Sequence, residues 1–499
     1  MSTKLNCWLG RTAYQIMPDR FCKLDENLRA IPGRTIKAWN DRMPNWQPGT
    51  DGEYTNDYYY CGNLKGITSK LEYIKSLGFD LIYITPIEES HSYHHYNPAN
   101  HLEIDQWLGD WHDFTTMCEK AHNLKILIIV DIVCNHTGIH SIYYENPEYS
   151  HWYKREQNGE ISFWWGFKDL PECNTIDKSY QDEMTKVIAK YLKMGADGIR
   201  LDLGENLPKE FLNAISRVKK EFPDTIFIGE MWGIATDKNY EDAKILDGQL
   251  DSVMNYPLTD AILRWTRWGK VGHFKYNFER VYNEYPVNVQ NLLFNNIATH
   301  DTPTTMTMLV GEKMNDDVFK DRIWDIEEPW RQEDSFDTYG FREFEAEHDE
   351  IVGDEYIRAK ELTKIAIAIL YTIPGIPCIY QGTEIADTGY KDPFNRKPYD
   401  WNKEEADMKQ FVASMGQYRK ENSDILAEGK AKIEMISSDI LILSRSINNG
   451  NQIYLAVNRT EHYQNICLPN NSEQLKVIFA KANCSKTGLN GYGILIARQ

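Results

Sequence analysis

Arg200 and Asp202 stand two residues apart in the run DGIRLDLGE (197–205), which reads as the end of a β-strand. Side chains two apart in a strand project from one face of the sheet, so both charges share a face while Ile199 and Leu201 take the other. The pattern recurs after other apolar runs: DIVCNH carries Asp131, Asn135 and His136, FIGEMW carries Glu230, and IATHDT carries His300 and Asp301. Alone, an Arg–Asp pair is explained equally well as an ordinary satisfied ion pair. Four carboxylates gathered in one place are not, because their repulsion and desolvation cost on the order of several kcal/mol with no gain in stability. Such clusters persist where function requires them.

One chemistry that uses several carboxylates, with neither an activated serine or cysteine nor a phosphate-binding loop, is glycoside hydrolysis. One carboxylate attacks or activates water, and a protonated carboxyl donates to the leaving oxygen across an oxocarbenium-like transition state. Asp202, beside the Arg200 guanidinium, is expected to stay ionised and act as nucleophile. Glu230 has no cation adjacent in sequence and is expected to keep its proton as general acid and base. Chemistry through a covalent intermediate places two such carboxyls about 5 to 5.5 Å apart.

To converge, these residues need strands that deliver their C-terminal ends to one rim. Eight short apolar runs qualify: TAYQIM near 12, DLIYIT at 80, ILIIVDIV at 126, DGIRLDL at 197, TIFIGEM at 225, LDSVMNY at 250, LLFNNIAT at 292 and IPCIYQG at 376. Amphipathic stretches such as FTTMCEKAHNLK and YQDEMTKVIAKYLKMG lie between them. The alternation predicts an α/β fold, a closed (β/α)8 TIM barrel with its site at the C-terminal rim.

Two stretches interrupt it. Residues 137–178, aromatic-rich and irregular, predict a small inserted domain after the third strand. Residues 316–355 hold 16 Asp or Glu against 4 Lys or Arg, with aromatics interspersed, and are expected to leave the rim and cap the site. From about 430 the pattern becomes strands without helices (DILILSRS, NQIYLAVNR, QLKVIFAK, YGILIAR), predicting a C-terminal antiparallel β-sandwich. The expected division is a barrel over 1–136 and 179–425, an inserted domain over 137–178 and an all-β domain over 426–499.

The formal charge of -19 disfavours nucleic acid and anionic membrane surfaces as partners. Nine cysteines without paired spacing suit a reducing compartment. The first residues lack an apolar signal region, and no stretch approaches the 18 apolar residues or so of a membrane span, so a cytoplasmic location is expected. Aromatic residues make up 12% of the chain, with 14 Trp and 30 Tyr offering flat faces of the kind sugar rings stack on.

Taken in order, DIVCNH, GIRLDLGEN, FIGEMW and ATHD make the chain resemble the α-amylase family of retaining glycoside hydrolases, from about residue 13 to the C-terminus. YQIMPDRF, HHY (94–96), LPECN (170–174) and PGIPCIYQGTE followed by DPFNR add to the resemblance. It implies Asp202 as nucleophile, Glu230 as acid/base and Asp301 as a third carboxylate that grips the sugar hydroxyls and distorts the ring. It further implies that Arg200 orients the nucleophile and that Asp131 supports the cluster. His94, His136 and His300 would contact the sugar in the cleavage subsite, and Tyr96 would stack beneath it. Asp392 and Arg396 would hold the next sugar on the non-reducing side, with Trp232 and Glu205 shaping the opposite side.

GQLDSVMNYP (248–257) and the pair Glu205–Asn206 resemble the neopullulanase and cyclomaltodextrinase branch, implying α-glucan oligosaccharides as substrates. The barrel pattern begins within the first fifteen residues, ahead of which that branch carries a dimerising β-domain, so its oligomeric state does not carry over. The resemblance implies cleavage of α-1,4 bonds, with α-1,6 cleavage, cyclodextrin hydrolysis or transglycosylation as alternatives. A catalytically silent glucan-binding relative is the alternative outside enzymology. The chemistry requires no cofactor. A structural calcium ion shared by Asn135 and Glu172 is left open, with plain hydrogen bonding by Asn135 as the other reading.

Overall fold

The computed structural model describes residues 3–24, 35–42, 58–236, 248–311, 348–448, 450–469 and 474–499. All eight apolar runs form parallel strands: β1 (Ala13–Ile16), β2 (Leu81–Ile84), β3 (Leu127–Ile132), β4 (Gly198–Leu201), β5 (Ile226–Gly229), β6 (Ser252–Val253), β7 (Phe294–Asn296) and β8 (Ile376–Tyr380). Their order is β6-β5-β4-β3-β2-β1-β8-β7, and a parallel bridge from Met254 to Phe294 closes the barrel. Every residue of β1, β2, β4 and β5 is buried, because helices cover the outside and side chains fill the inside. That is why these strands read as unbroken apolar runs.

The helices follow their periodicity. Helix α1 (Trp111–Asn123) is capped by Asp110, whose carboxylate accepts from the Asp113 N–H, and it buries Phe114, Met117, Cys118 and Ala121 at one-face spacing. Helix α2 (Lys178–Lys193) is capped by Asp177 and buries Tyr180, Met184, Val187, Ile188 and Tyr191. Each fully buried large apolar side chain contributes roughly 1.5–3 kcal/mol, so the inward faces hold the helices far more than the caps do.

Between β3 and α2, the inserted stretch is held by isolated bridges (His136 to Glu172, Tyr153 to Cys173, Phe163 to Pro171) and by packed rings such as Tyr143, Tyr149 and Trp152. A hairpin of Glu88–Ser90 with Pro98–Ile104, absent from the sequence expectations, follows β2. Of the acidic stretch expected at 316–355, residues 316–347 lie outside the described residues, and its last three residues begin helix α3 (Gly353–Thr372).

At the C-terminus β9 (Lys430–Ile436), β10 (Ile440–Ser446), β11 (Gln452–Asn458), β12 (Lys476–Lys481) and β13 (Ile494–Arg498) form an antiparallel sheet ordered β9-β10-β11-β13-β12. Ile440, Ile442, Tyr454 and Leu495 pack beneath a two-stranded layer carrying Leu489. Leu441, Leu443, Leu455 and Ile496 face the other way and join the barrel core. The sandwich is therefore a five-stranded sheet with one face on the barrel and the other covered by a small second layer.

Candidate active site

The parallel register sets Asp131 of β3 opposite Arg200 of β4. Arg200 Nη1 donates to both oxygens of Asp131 at 2.8 and 2.8 Å and to Asp202 Oδ1 at 3.0 Å, while Nη2 lies 3.1 Å from Glu230 Oε2. One guanidinium thus serves three carboxylates from three neighbouring strands. The Tyr83 and Tyr96 hydroxyls complete Asp131, donating to Oδ2 at 2.7 and 2.8 Å.

After Asp202 the chain turns through Leu203 in the left-handed region (φ 48), a conformation costing a non-glycine residue roughly 1–2 kcal/mol. The strained turn aims the Leu203 N–H at Glu230 Oε2, 2.8 Å away. Gly204 follows. A Cβ there would lie 2.8 Å from the Gly229 Cα, so only glycine lets the exit of β4 close on the end of β5.

The third acid comes from the other side of the rim. His300 Nδ1 accepts from Gln15 Nε2 at 2.8 Å, which leaves the proton on Nε2, 3.3 Å from Asp301 Oδ2. The His300 and Tyr96 rings stack at 5.1 Å and 3°. Arg396 reaches Asp301 at 3.3 Å and Asp392 at 3.1 Å, and its Nε donates to the His300 carbonyl at 2.8 Å. Tyr93 donates to Asp392 Oδ1 at 3.0 Å.

Tyr96 joins the two groups of acids, and both remaining histidines touch it. His136 Nε2 donates to its carbonyl at 2.8 Å, and His94 Nδ1 accepts from its N–H at 3.1 Å. Trp232 hydrogen-bonds Glu230 and lies flat on Tyr256, with centroids 4.0 Å apart at 6°. All twelve residues expected to catalyse or to bind sugar therefore fall in one connected network.

Its electrostatics depart from expectation. Burial pushes the Asp202 carboxyl well above its ordinary range, the Glu230 charge adds to that, and Arg200 opposes both without winning. Burial also raises Glu230, with Arg200 opposing and Asp301 adding. The expectation that Asp202 alone is held ionised by a cation is corrected on both counts. The guanidinium reaches Glu230 as well, across strands that sequence adjacency does not reveal, and desolvation outweighs it at Asp202. Two buried acids sharing one cation, both raised, take up and release protons as a pair. Burial lowers His94 to about 3 and His136 to about 4, and lowers His300 well below its usual range, so all three are neutral hydrogen-bonding groups.

Three members of the network were not singled out from sequence: Gln15, Tyr83 and Tyr93. Gln15 was detectable as the one polar residue in the apolar strand AYQI. The tyrosines carried no signal, since buried tyrosine is ordinary.

The residues suggested for calcium lie together where the inserted stretch meets β3, but they do not form an oxygen cage. The Glu172 carboxylate is engaged on both sides, with Oε1 3.5 Å from Lys154 Nζ and Oε2 accepting from the Ser162 hydroxyl at 2.5 Å. Asn135 is buried, and its side-chain amide finds no partner among the described residues. No group of three or more His, Cys, Asp or Glu suited to a metal occurs among the described residues. A lysine ammonium beside Glu172 is the opposite of what a hard dication requires.

Comparison with known proteins gives a consistent picture. The alpha amylase catalytic domain profile matches residues 15–150. An amylopullulanase from Thermoanaerobacter thermohydrosulfuricus is 28% identical over 90% of this chain and 32% of its own length, so the chain spans about a third of that relative. A cyclomaltodextrinase from Geobacillus thermopakistaniensis is 26% identical over 93% of this chain and 71% of its own. Among solved structures, the cyclic alpha-maltosyl-(1→6)-maltose hydrolase of Arthrobacter globiformis superposes over 100% of both chains with a TM-score of 0.79 at 19% identity, a likeness of fold.

Proposed function

The chain carries a catalytic domain of the α-amylase family, and from that premise we propose a retaining hydrolase of α-1,4-glucosidic bonds in maltooligosaccharides and related α-glucans. The observation that carries the reading is the single Arg200 guanidinium in contact with Asp131, Asp202 and Glu230 at one barrel rim. A silent glucan-binding relative would have no use for so costly an arrangement.

In the proposed reaction Asp202 attacks the anomeric carbon as the glycosidic C–O bond breaks, and Glu230 delivers its proton to the departing oxygen. The Asp202–glucosyl ester is then cleaved by water. Glu230 takes one proton from the attacking water, and Asp202 leaves as carboxylate. Two inversions at one carbon give net retention. The proton shared by the buried pair is the one this cycle needs, with Asp301 and the neutral His136 and His300 gripping the sugar hydroxyls and Tyr96 beneath the ring. Asp392 and Arg396 would seat the next sugar.

We read residues 1–136 and 179–425 as the catalytic unit, 137–178 as an inserted domain and 426–499 as the C-terminal domain, and the junction at Glu172 as held by Lys154 rather than by calcium. No helix of the described residues is long and apolar enough to cross a membrane. A cytoplasmic location is part of the reading, supported by cysteines that are all unpaired, six of them buried. Product analysis on maltotetraose, cyclodextrin, pullulan, isomaltose and starch tests the whole. Maltose and glucose released from maltotetraose with retained anomeric configuration is the expected result. Inverted products, or turnover of isomaltose alone, would overturn it. A second reading, extended to pullulan or cyclic substrates, is favoured by the similarity to an amylopullulanase and to a cyclic alpha-maltosyl-(1→6)-maltose hydrolase.

A further inference from the structure

The inserted stretch carries an aromatic feature that the reaction above does not use. His136, buried in the site, stacks on Trp164 at 5.4 Å and 24°, and Trp164 stacks in turn on Trp165 at 4.9 Å and 12°. Phe167 packs against Trp164 at 5.9 Å. The ladder runs outward: Trp165 is 59% and Phe167 47% exposed, among the most exposed large apolar side chains described. Trp165 also sits in the left-handed region (φ 49), at a cost of roughly 1–3 kcal/mol for such a residue.

The fold thus holds one tryptophan in a strained conformation, and does so where its ring is left largely in water. Neither feature aids stability, and strain combined with apolar exposure marks a functional surface. The turn is rigid rather than loose. Trp164 N–H donates to the Leu170 carbonyl at 3.0 Å, Leu170 N–H to Phe167 at 2.9 Å, and Gly166 N–H to Phe163 at 3.0 Å, while Phe163 bridges Pro171. The Thr137 and Ile139 N–H groups, at the exit of β3, donate to the Pro171 and Asp169 carbonyls at 3.2 and 3.1 Å, fixing the turn to the strand that carries Asp131.

Within the ladder Trp164 Nε1 and His136 Nδ1 are buried and lack a hydrogen-bond partner among the described residues. Buried polar groups of this kind normally have one, and sugar hydroxyls are partners of the right chemistry.

We propose that Trp164, Trp165 and Phe167 form an outer sugar-stacking platform, continuous with the active site through His136, that holds glucose units of an α-glucan beyond those seated at the carboxylates. The flat C–H faces of successive pyranose rings lie on Trp165 and Phe167. The inference deepens the hydrolase reading and rests on it for the nature of the ligand. Because the rings are held in place beforehand, little freedom is lost on binding.

The test is steady-state kinetics of Trp165→Ala and Trp165→Phe on maltotriose and maltoheptaose, with thermal melts to confirm folding. For Trp165→Ala, KM for maltoheptaose is expected to rise about three- to tenfold, as loss of one aromatic contact implies. Its kcat and its KM for maltotriose stay unchanged, and Trp165→Phe restores most of the loss. Unchanged KM for both substrates in a folded Trp165→Ala protein overturns the platform while leaving the hydrolase intact. Should the wild type turn over no α-glucan, the hydrolase reading falls and the platform is judged by calorimetric titration with maltoheptaose. Equal affinity of wild type and Trp165→Ala then overturns it, and a three- to tenfold weakening upholds it.

Discussion

Buried acids that share a cation titrate as a unit, and that unit controls both rate and stability. Activity in the proposed cycle needs one proton on the Asp202–Glu230 pair. It should fall on the acid side as the pair takes up a second proton and on the alkaline side as it loses its last, giving a bell displaced upward from ordinary carboxyl values. Asp202→Asn and Glu230→Gln should each lower kcat by about 10³-fold or more. The folded state holds these protons more tightly than the unfolded chain does. The acids' contribution to stability is therefore complete below their unfolded pKa values and is lost as pH rises through the folded ones. The amide variants escape that loss, so their Tm should exceed the wild type's by a few degrees at pH 7, with the gap closing toward pH 4. Melting curves across that range check it, and variants less stable than wild type at every pH would show the acids to be structural instead.

At the scale of elements, the junction between β3 and the inserted stretch makes a separate prediction. With Lys154 and Ser162 occupying both oxygens of Glu172, chelation should leave Tm and activity where they were. A fall of ten degrees or so, reversed by calcium, would mean that Asn135 and Glu172 hold an ion after all. The sequence could not decide this because Lys154 lies 18 residues from Glu172 and meets it only through the bridged turn. The same limit governs what else was legible. The barrel strands were, since burial on both faces writes an uninterrupted apolar run, and the charges at their ends stood out against it. The hairpin at 88–104 was not, because it buries Glu88, His95 and His101 where an alternating apolar pattern would be the signal. Strand β9 was missed for the opposite reason: an edge strand with a largely exposed face, KAKIEMI, offers little hydrophobic contrast. The contact of Arg200 with Glu230 depends on strand neighbours and on the turn at Leu203, neither of which is written in adjacency.

Across the whole molecule, the C-terminal sheet is fastened to the barrel by arginines that meet backbone carbonyls instead of acids. Arg445 of β10 is fully buried and donates to the carbonyls of Thr372 at 2.7 Å, Gly429 at 2.8 Å and Leu426 at 3.0 Å. Beside it, on the barrel's own side of the junction, Arg419 donates to Tyr371 and Gly375 at 2.9 and 2.5 Å. Tyr371 and Thr372 end helix α3, so both cations meet its last carbonyls and the negative end of its dipole. Burial pushes Arg445 down to about 9 and Arg419 to about 10, which still leaves both charged at pH 7. Arg459 repeats the device at another barrel helix, reaching the carbonyls of Thr266 and Arg267 at 2.8 and 2.5 Å. Replacing Arg445 by Met keeps most of the volume and strands three buried carbonyls, at a cost on the order of 3 kcal/mol or more. Arg445→Met should therefore lower Tm markedly and separate a C-terminal transition from that of the barrel in calorimetry. Arg498→Met, at the half-exposed pair with Asp424, should cost no more than about 1 kcal/mol. If both variants melt in one transition at the wild-type temperature, the docking rests on the apolar face of the sheet alone, with Leu441, Leu443, Leu455 and Ile496 sufficient to hold it.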